Sequence, residues 1–326
     1  MINISELISG AGSIAIAGHV RPDGDAVGST LALYNYIKKL RPECETVLFM
    51  EKPQDIFSYL KGFDEIVPLR KGMNDKKFDI FFALDLGDLE RLGDAAKYYS
   101  SARKRVCIDH HISNTGFGDE SLIKPEASST SELIFDLMDE DKIDIEIAKC
   151  VYTGIIHDTG VMQYSNTSRH TMEVVGKLIE FGFDFPTIIN ETFYEKTYVQ
   201  NQIMGRALLE SILFMDGLCI ASVIDHKTME FYGVTSKDFN GVANQLYKTK
   251  GAEVAVFMYE STSEHMLYKV SLRGGGRFNL AEIAKKFGGG GHVRAAGFSM
   301  TGTWHDILNN ISAEIENQMK AEENDG

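Results

Sequence analysis

At 326 residues, the chain exceeds what one compact core usually organises, so two domains are expected. Hydrophobic residues make up 44% and charged residues 25%, an ordinary globular composition; no apolar run approaches the ~20 residues of a membrane span, and Met1 to Gly10 does not read as a signal peptide. The net charge of −14, from 47 acidic and 33 basic residues, argues against a broad basic face for long nucleic acid, so an anionic substrate would be small.

In chain order, the first half alternates strand and helix patterns. Ser13–Ala17 is a short apolar run ending at Gly18, residues 26–39 carry helical spacing, and 46–50 is strand-like. The runs DIFFAL (79–84) and RVCI (105–108) are almost continuously apolar, as in strands of a parallel sheet covered on both faces. After residue 120 the pattern turns helical: 133–138 behind a cap region where Ser129 and Glu132 stand at capping-box spacing, then 144–156, 169–181, and an unbroken stretch from 185 to 213. From Gly217 a second, smaller α/β rhythm follows, with strands at 218–224, 253–259 and 267–272 and helices at 280–287 and 304–319. The expected organisation is a metal-binding catalytic domain (1–185), a helical linker (186–215), a substrate-binding domain (216–322) and a disordered tail (323–326). Cys44, Cys107, Cys150 and Cys219 lie far apart without a CxxC pair, as buried, reduced cytoplasmic thiols do.

Each apolar strand of the first half ends in Asp, His and Gly, where open α/β sheets place their ligands. His19, Asp23 and Asp25 lie in a turn bent by Pro22 and Gly24; the two aspartates read equally well as helix caps or as ligands of different metals. Asp85 and Asp88 follow DIFFAL. Asp88 suits a helix cap, whereas Asp85 at the end of a buried strand needs a partner or a metal. Asp109-His110-His111 follows RVCI and reads either as a ligand beside a substrate-facing histidine or as a core histidine bonded to the aspartate. Asp158 closes a helix against its dipole and so needs a compensating cation, while His157 has a supporting place. Together these mixed imidazole and carboxylate donors suit Mn²⁺ or another octahedral divalent ion. A close metal pair could share a hydroxide nucleophile and clamp a phosphoryl group.

Near the other end, FGGGGHVRAAGF (287–298) reads as an anion-binding nest formed by glycine amides, or as a flexible linker. A linker is out of place between a helix and an apolar strand. Arg273, His292 and Arg294 add donors for a phosphate clamp.

In this order, HVRPDGD, DLGD, IDHH and HDTG resemble the motifs of the DHH phosphoesterase family, and GGGGHVRAAGF resembles the GGGH motif of its associated C-terminal domain. The resemblance spans nearly the whole chain. It implies that His19 and Asp23 hold one metal, that Asp25, His110 and Asp158 hold the other, and that Asp85 bridges. His111 would contact the scissile phosphate beside Asp109, as the catalytic pair. Arg273, Gly289, Gly290, Gly291, His292 and Arg294 would hold the substrate. The implied fold is α/β: a mostly parallel sheet with helices on both faces, plus a smaller C-terminal α/β domain, with the active-site cleft between them.

Within the family, length and C-terminal motif look like the stand-alone oligoribonucleases, or nanoRNases, which also remove the 3′ phosphate from 3′-phosphoadenosine 5′-phosphate (pAp). The leading expectation is a cytoplasmic hydrolase that cleaves di- to pentanucleotides to mononucleotides, and pAp to AMP, by hydroxide activated between two divalent ions, most simply Mn²⁺. The alternatives are a soluble phosphodiesterase for signalling dinucleotides (pApA or cyclic di-AMP) and a non-catalytic nucleotide-binding regulator. Short nucleotides are the expected partners, not long duplexes or membranes, and a homodimer is an assembly the reading allows.

Overall fold

The computed structural model describes residues 2–68 and 76–325 and divides into two compact units, Met1–Glu195 and Lys196–Gly326. In the first unit, α1 (Ile4–Ile8), β1 (Ser13–Ala17), α2 (Gly24–Leu40), β2 (Glu45–Phe49), β3 (Ile66–Val67), β4 (Ile80–Leu84), α3 (Ala96–Ser101), β5 (Lys104–Asp109), β6 (Glu120–Ile123), α4 (Thr130–Asp136), α5 (Ile145–Asp158), α6 (Arg169–Ile179) and α7 (Phe185–Ile189) follow one another. The six strands run parallel in the order β3-β2-β1-β4-β5-β6. Period-two alternation assigns the two faces. Ile14, Ile16, Ile80, Phe82 and Leu84 enter the core with α2, α4, α5 and α6, whereas Ala15, Ala17, Phe81 and Ala83 pack with Phe49, Tyr98 and Tyr99 on the other side.

Chain order reverses between β1 and β4, the switch point where a doubly wound sheet opens a crevice beyond its carboxyl ends. Gly28 and Gly154 let the helices close over that crevice: a Cβ on Gly28 would stand 2.7 Å from the Gly154 nitrogen, and one on Gly154 2.8 Å from the Asp25 carboxylate.

The second unit contains α8 (Tyr198–Leu209), β7 (Ile212–Phe214), β8 (Cys219–Ile224), α9 (His226–Tyr232), α10 (Val242–Tyr247), β9 (Val254–Glu260), β10 (Leu267–Gly274), α11 (Leu280–Lys286), β11 (Gly290–His292), β12 (Ala295–Thr301) and α12 (Trp304–Asp325). Its six-stranded sheet, β11-β12-β10-β9-β8-β7, is antiparallel except for the β8–β9 pair.

Three expectations need correction. The 185–213 stretch is not one helix, because α7 passes into a single π-turn (Asn190–Tyr194) and α8 restarts under a capping box in which Thr197 and Gln200 bond each other's backbone. The expected helical linker therefore holds two helices and an edge strand. The chain is not helical directly after residue 120, because β6 pairs along β5; as an edge strand with half-exposed residues it lacks the apolar run that marks β4. The tail is helical to Asp325, continued by the helix-forming residues Lys320, Ala321 and Glu322, and Gly326 lies outside the described residues. Among the described residues no helix is long and apolar enough to cross a membrane.

Candidate active site at the switch point

The turn after β1 and the start of α2 supply the first donors. Asp23 caps α2: its Oδ1 accepts from the amides of Asp25 and Ala26, both at 3.1 Å, which leaves Oδ2 3.4 Å from His19 Nε2. The capping and ligand readings of Asp23 are thus compatible. Asp25 points the opposite way, buried, and its carboxylate accepts the amides of Thr130 at 2.7 Å and Ser131 at 2.9 Å, the first two residues of α4. Asp88 caps the next turn by accepting from the Arg91 amide.

Asp85 lies between these groups. The backbone leaves β4 through a left-handed residue there (φ 60°), a conformation aspartate tolerates better than most side chains. Oδ2 is 3.6 Å from His19 Nε2, Oδ1 is 3.7 Å from His110 Nε2, and Thr130 donates its hydroxyl to Oδ1 at 3.1 Å. His110 Nε2 is also 3.1 Å from Asp158 and 3.9 Å from Asp25, so the aspartate closing α5 meets an imidazole. Both His19 and His110 turn Nδ1 to a backbone carbonyl, of Val20 and Ala127, and so aim Nε2 into the carboxylates. His111 differs: its Nδ1 donates to Asp109 Oδ1 at 2.7 Å, and Asp109 is also held by Asn114. His157 joins none of these groups. It bonds Thr192 and packs edge-on against Phe57 and Phe193, and burial pushes its pKa down to about 4.

Among the described residues, three sets of side chains each offer one donor atom per residue within 4.8 Å of one another: His19, Asp23 and Asp85; Asp25, His110 and Asp158; Asp85, His110 and His111. The electrostatics fit a cation. Burial and then the charge of Asp158 push Asp25 up to about 7, against the pull of His110 and Ser131. Burial and the carboxylates of Asp25, Asp23, Asp158 and Asp109 hold Asp85 well above the usual range. Asp23 goes the other way: burial is outweighed by the hydrogen bond and charge of His19 and by two amides, which hold it at about 2. His110 is raised to about 9, because Asp158 and the charges of Asp25 and Asp109 overcome its desolvation. Too many negative charges share too little water for imidazole alone to balance, and oxygen and imidazole donors with no thiolate suit a hard or borderline divalent ion.

The sequence reading missed Thr130, which holds Asp25 through its amide and Asp85 through its hydroxyl. Its signal lay in Ser128–Ser131, read as capping alone. Ser129 does cap α4, but the Glu132 side chain completes no box; it is buried, taking the hydroxyls of Ser128 and Thr171 at 2.6 Å each. Thr130→Val is expected to weaken divalent-metal affinity about ten- to a hundredfold, the usual cost of losing an outer partner, while Thr130→Ser restores it. Calorimetric titration checks this; unchanged affinity in the valine variant would remove Thr130 from the site.

In the second unit, β11, β12 and β10 set His292, Ala295 and Arg273 in one register row. Arg273 Nε donates to Asn244 Oδ1 at 2.7 Å, and the chain folds Arg294 over Gly276, where a Cβ would stand 3.1 Å from the Arg294 Nε. The row thus holds two of the expected phosphate contacts, His292 and Arg273, and Arg294 lies in the turn between β11 and β12. The glycines differ from a nest: the amides of Gly288 and Gly289 bond Lys285 and Ala284 at the end of α11, and Gly290 and Gly291 enter the β12 ladder. A Cβ on Gly291, whose φ is 143°, would meet the Ala296 Cα at 2.5 Å, so glycine serves close strand approach there.

Residues 13–155 match the model of the DHH family, N-terminal domain, and 218–321 that of the DHHA1 domain. The bifunctional oligoribonuclease and PAP phosphatase NrnA of Bacillus subtilis is 27% identical over 95% of this chain and 96% of its own length. Its namesake from Thermus thermophilus is 30% identical over 89% of this chain and 85% of its own. A crystal structure of an exopolyphosphatase-related protein from Bacteroides fragilis superposes with a TM-score of 0.86 at 25% identity, covering 96% of this chain and 94% of that one. From its motifs through its sheet order to these relatives, the chain belongs to the DHH family of phosphoesterases.

Proposed function

We propose that this phosphoesterase hydrolyses short oligonucleotides to mononucleotides and removes the 3′ phosphate of pAp, using two divalent ions, most simply Mn²⁺. The observation that carries this is Asp85, with one carboxylate oxygen toward His19 and the other toward His110. His19 and Asp23 would hold one ion, Asp25, His110 and Asp158 the other, and Asp85 both. Such a pair supplies Lewis acidity, which makes a water more acidic and neutralises charge on the phosphoryl oxygens. Asp109 fixes His111 through Nδ1 and leaves Nε2 to face the substrate. His111 would contact the phosphoryl group there and stabilise charge as it develops. Arg273, His292 and Arg294, with Gly289–Gly291, would hold the substrate as part of a substrate-binding domain (216–322), with the metal donors in a catalytic domain (1–185). The acidic net charge supports small nucleotides over long polymers.

Turnover of pAp, di- to pentanucleotides and cyclic dinucleotides measured side by side with Mn²⁺ tests the substrate. Release of mononucleotides from the linear substrates is expected; hydrolysis of cyclic dinucleotides alone would overturn this choice, and binding without any hydrolysis would favour a regulator. Arg273→Ala is expected to raise the KM for pAp about tenfold, since hydrogen bonds to charged groups contribute ~1.5–3 kcal/mol, with metal affinity unchanged. An unaltered KM would exclude Arg273 from the substrate contacts.

A further inference from the structure

The segment after Asp158 carries backbone strain that the metal-site reading leaves unexplained. Gly160, Val161 and Met162 are consecutive left-handed residues, with φ of 57°, 57° and 59°. A β-branched residue such as Val161 seldom adopts that conformation, and such strain persists where the surroundings over-determine it, often at ligand contacts. Here the surroundings do so. The Thr159 carbonyl accepts the amides of Gln163 and Tyr164, both at 2.9 Å, and its hydroxyl oxygen accepts that of Met162 at 3.0 Å. Asn166 then ties the end of the turn back, donating to the carbonyls of Ser128 at 2.8 Å and Asp158 at 3.2 Å.

The strained turn sets the ring of Tyr164 on Gly160. A Cβ at residue 160 would stand 2.5 Å from the Tyr164 Cε1, so only glycine leaves room for the ring. Tyr164 is nonetheless 49% exposed, so the residue that packs on Gly160 is also open to solvent. Next in the chain, Gln163 donates to the hydroxyl of Tyr194, a residue that is 49% exposed as well. Gly160 is two residues from Asp158, within ~7 Å of backbone.

We propose that this turn is a nucleobase-stacking platform on the catalytic unit, in which Tyr164 takes the base of the nucleotide whose phosphate is at the metal site. A fixed aromatic face suits a flat, neutral π-system and tolerates any base, and one stack of this kind changes affinity about five- to a hundredfold. The identity of the bound base as part of a phosphoester substrate rests on the function proposed above; the stack itself is testable separately.

The test compares binding of AMP and of ribose 5-phosphate, which lacks a base, to the metal-loaded protein and its Tyr164→Ala and Tyr164→Phe variants, together with kcat and KM for a dinucleotide. The expected result is that Tyr164→Ala weakens AMP about tenfold and raises KM with kcat retained, while ribose 5-phosphate binding is unchanged. Tyr164→Phe, which keeps the ring, is expected to match the parent. Undiminished AMP binding in Tyr164→Ala, or equal losses for AMP and ribose 5-phosphate, would overturn the platform. A parent protein that cleaves no nucleotide yet shows the AMP-specific loss would reject the proposed reaction and uphold the stack.

Discussion

Asp85→Asn is expected to lower kcat at least about a thousandfold and to weaken binding of both metal ions. The side chains are nearly the same size, so the substitution changes charge and leaves an acceptor for the Thr130 hydroxyl. Loss of a single preorganised polar group facing developing charge costs about a hundred- to a thousandfold elsewhere, and here one carboxylate serves two donor groups. The metal-free protein should not suffer. A carboxyl whose pKa is raised in the folded state adds stability below its unfolded pKa and loses it as pH rises, so at neutral pH the buried Asp85 is a burden. Asp85→Asn is therefore expected to melt no lower than the parent without metal, and to lose the upward shift that metal gives the parent. An active variant with full metal content would end the bridging assignment. The same linkage gives a pH dependence. Asp25 at about 7 and Asp85 above the usual range give up protons to bind metal, so metal affinity in the parent is expected to rise with pH through 7. Titration in buffers of different ionisation enthalpy measures the protons released.

His111→Asn is expected to lower kcat by about a hundred- to ten-thousandfold, the range for a positioned proton donor, with metal content intact. His111 differs from His19 and His110 in one respect: its Nδ1 bonds a carboxylate rather than a backbone carbonyl. That bond occupies Nδ1 and leaves Nε2 as the nitrogen that would meet the reacting group in the proposed reaction. Equal losses of metal and activity in His111→Asn would instead make it a ligand, in keeping with its place in the third donor set beside Asp85 and His110.

Much of this was legible because the first sheet is parallel and buried. Continuous apolar runs such as DIFFAL declare buried strands, and the polar residues that end them declare the crevice at their carboxyl ends. Asp85 was readable for that reason: nothing but a partner or a metal explains a carboxylate after five buried residues. β6 was not, because an edge strand half open to water has no such run. Nor was the break between α7 and α8, although Thr197 and Gln200 carry its chemistry at the spacing of a capping box. Thr130 was hidden differently. A threonine at the first turn of a helix looks like capping, and only the fold brings it against Asp25 and Asp85, 105 and 45 positions away. The glycine-rich segment was recognised as a feature, but its local form was not legible: the Gly288 and Gly289 amides close the end of α11, and Gly290 and Gly291 pair with β12.

The most direct measurement is mononucleotide release from a dinucleotide by protein stripped with a chelator, followed as Mn²⁺ is added back. No release before metal, and release that saturates near two equivalents per chain, is the result predicted by the paired donor sets around Asp85. Release undiminished in the stripped protein, or none at any metal level, would contradict a metal-dependent hydrolytic centre at the switch point.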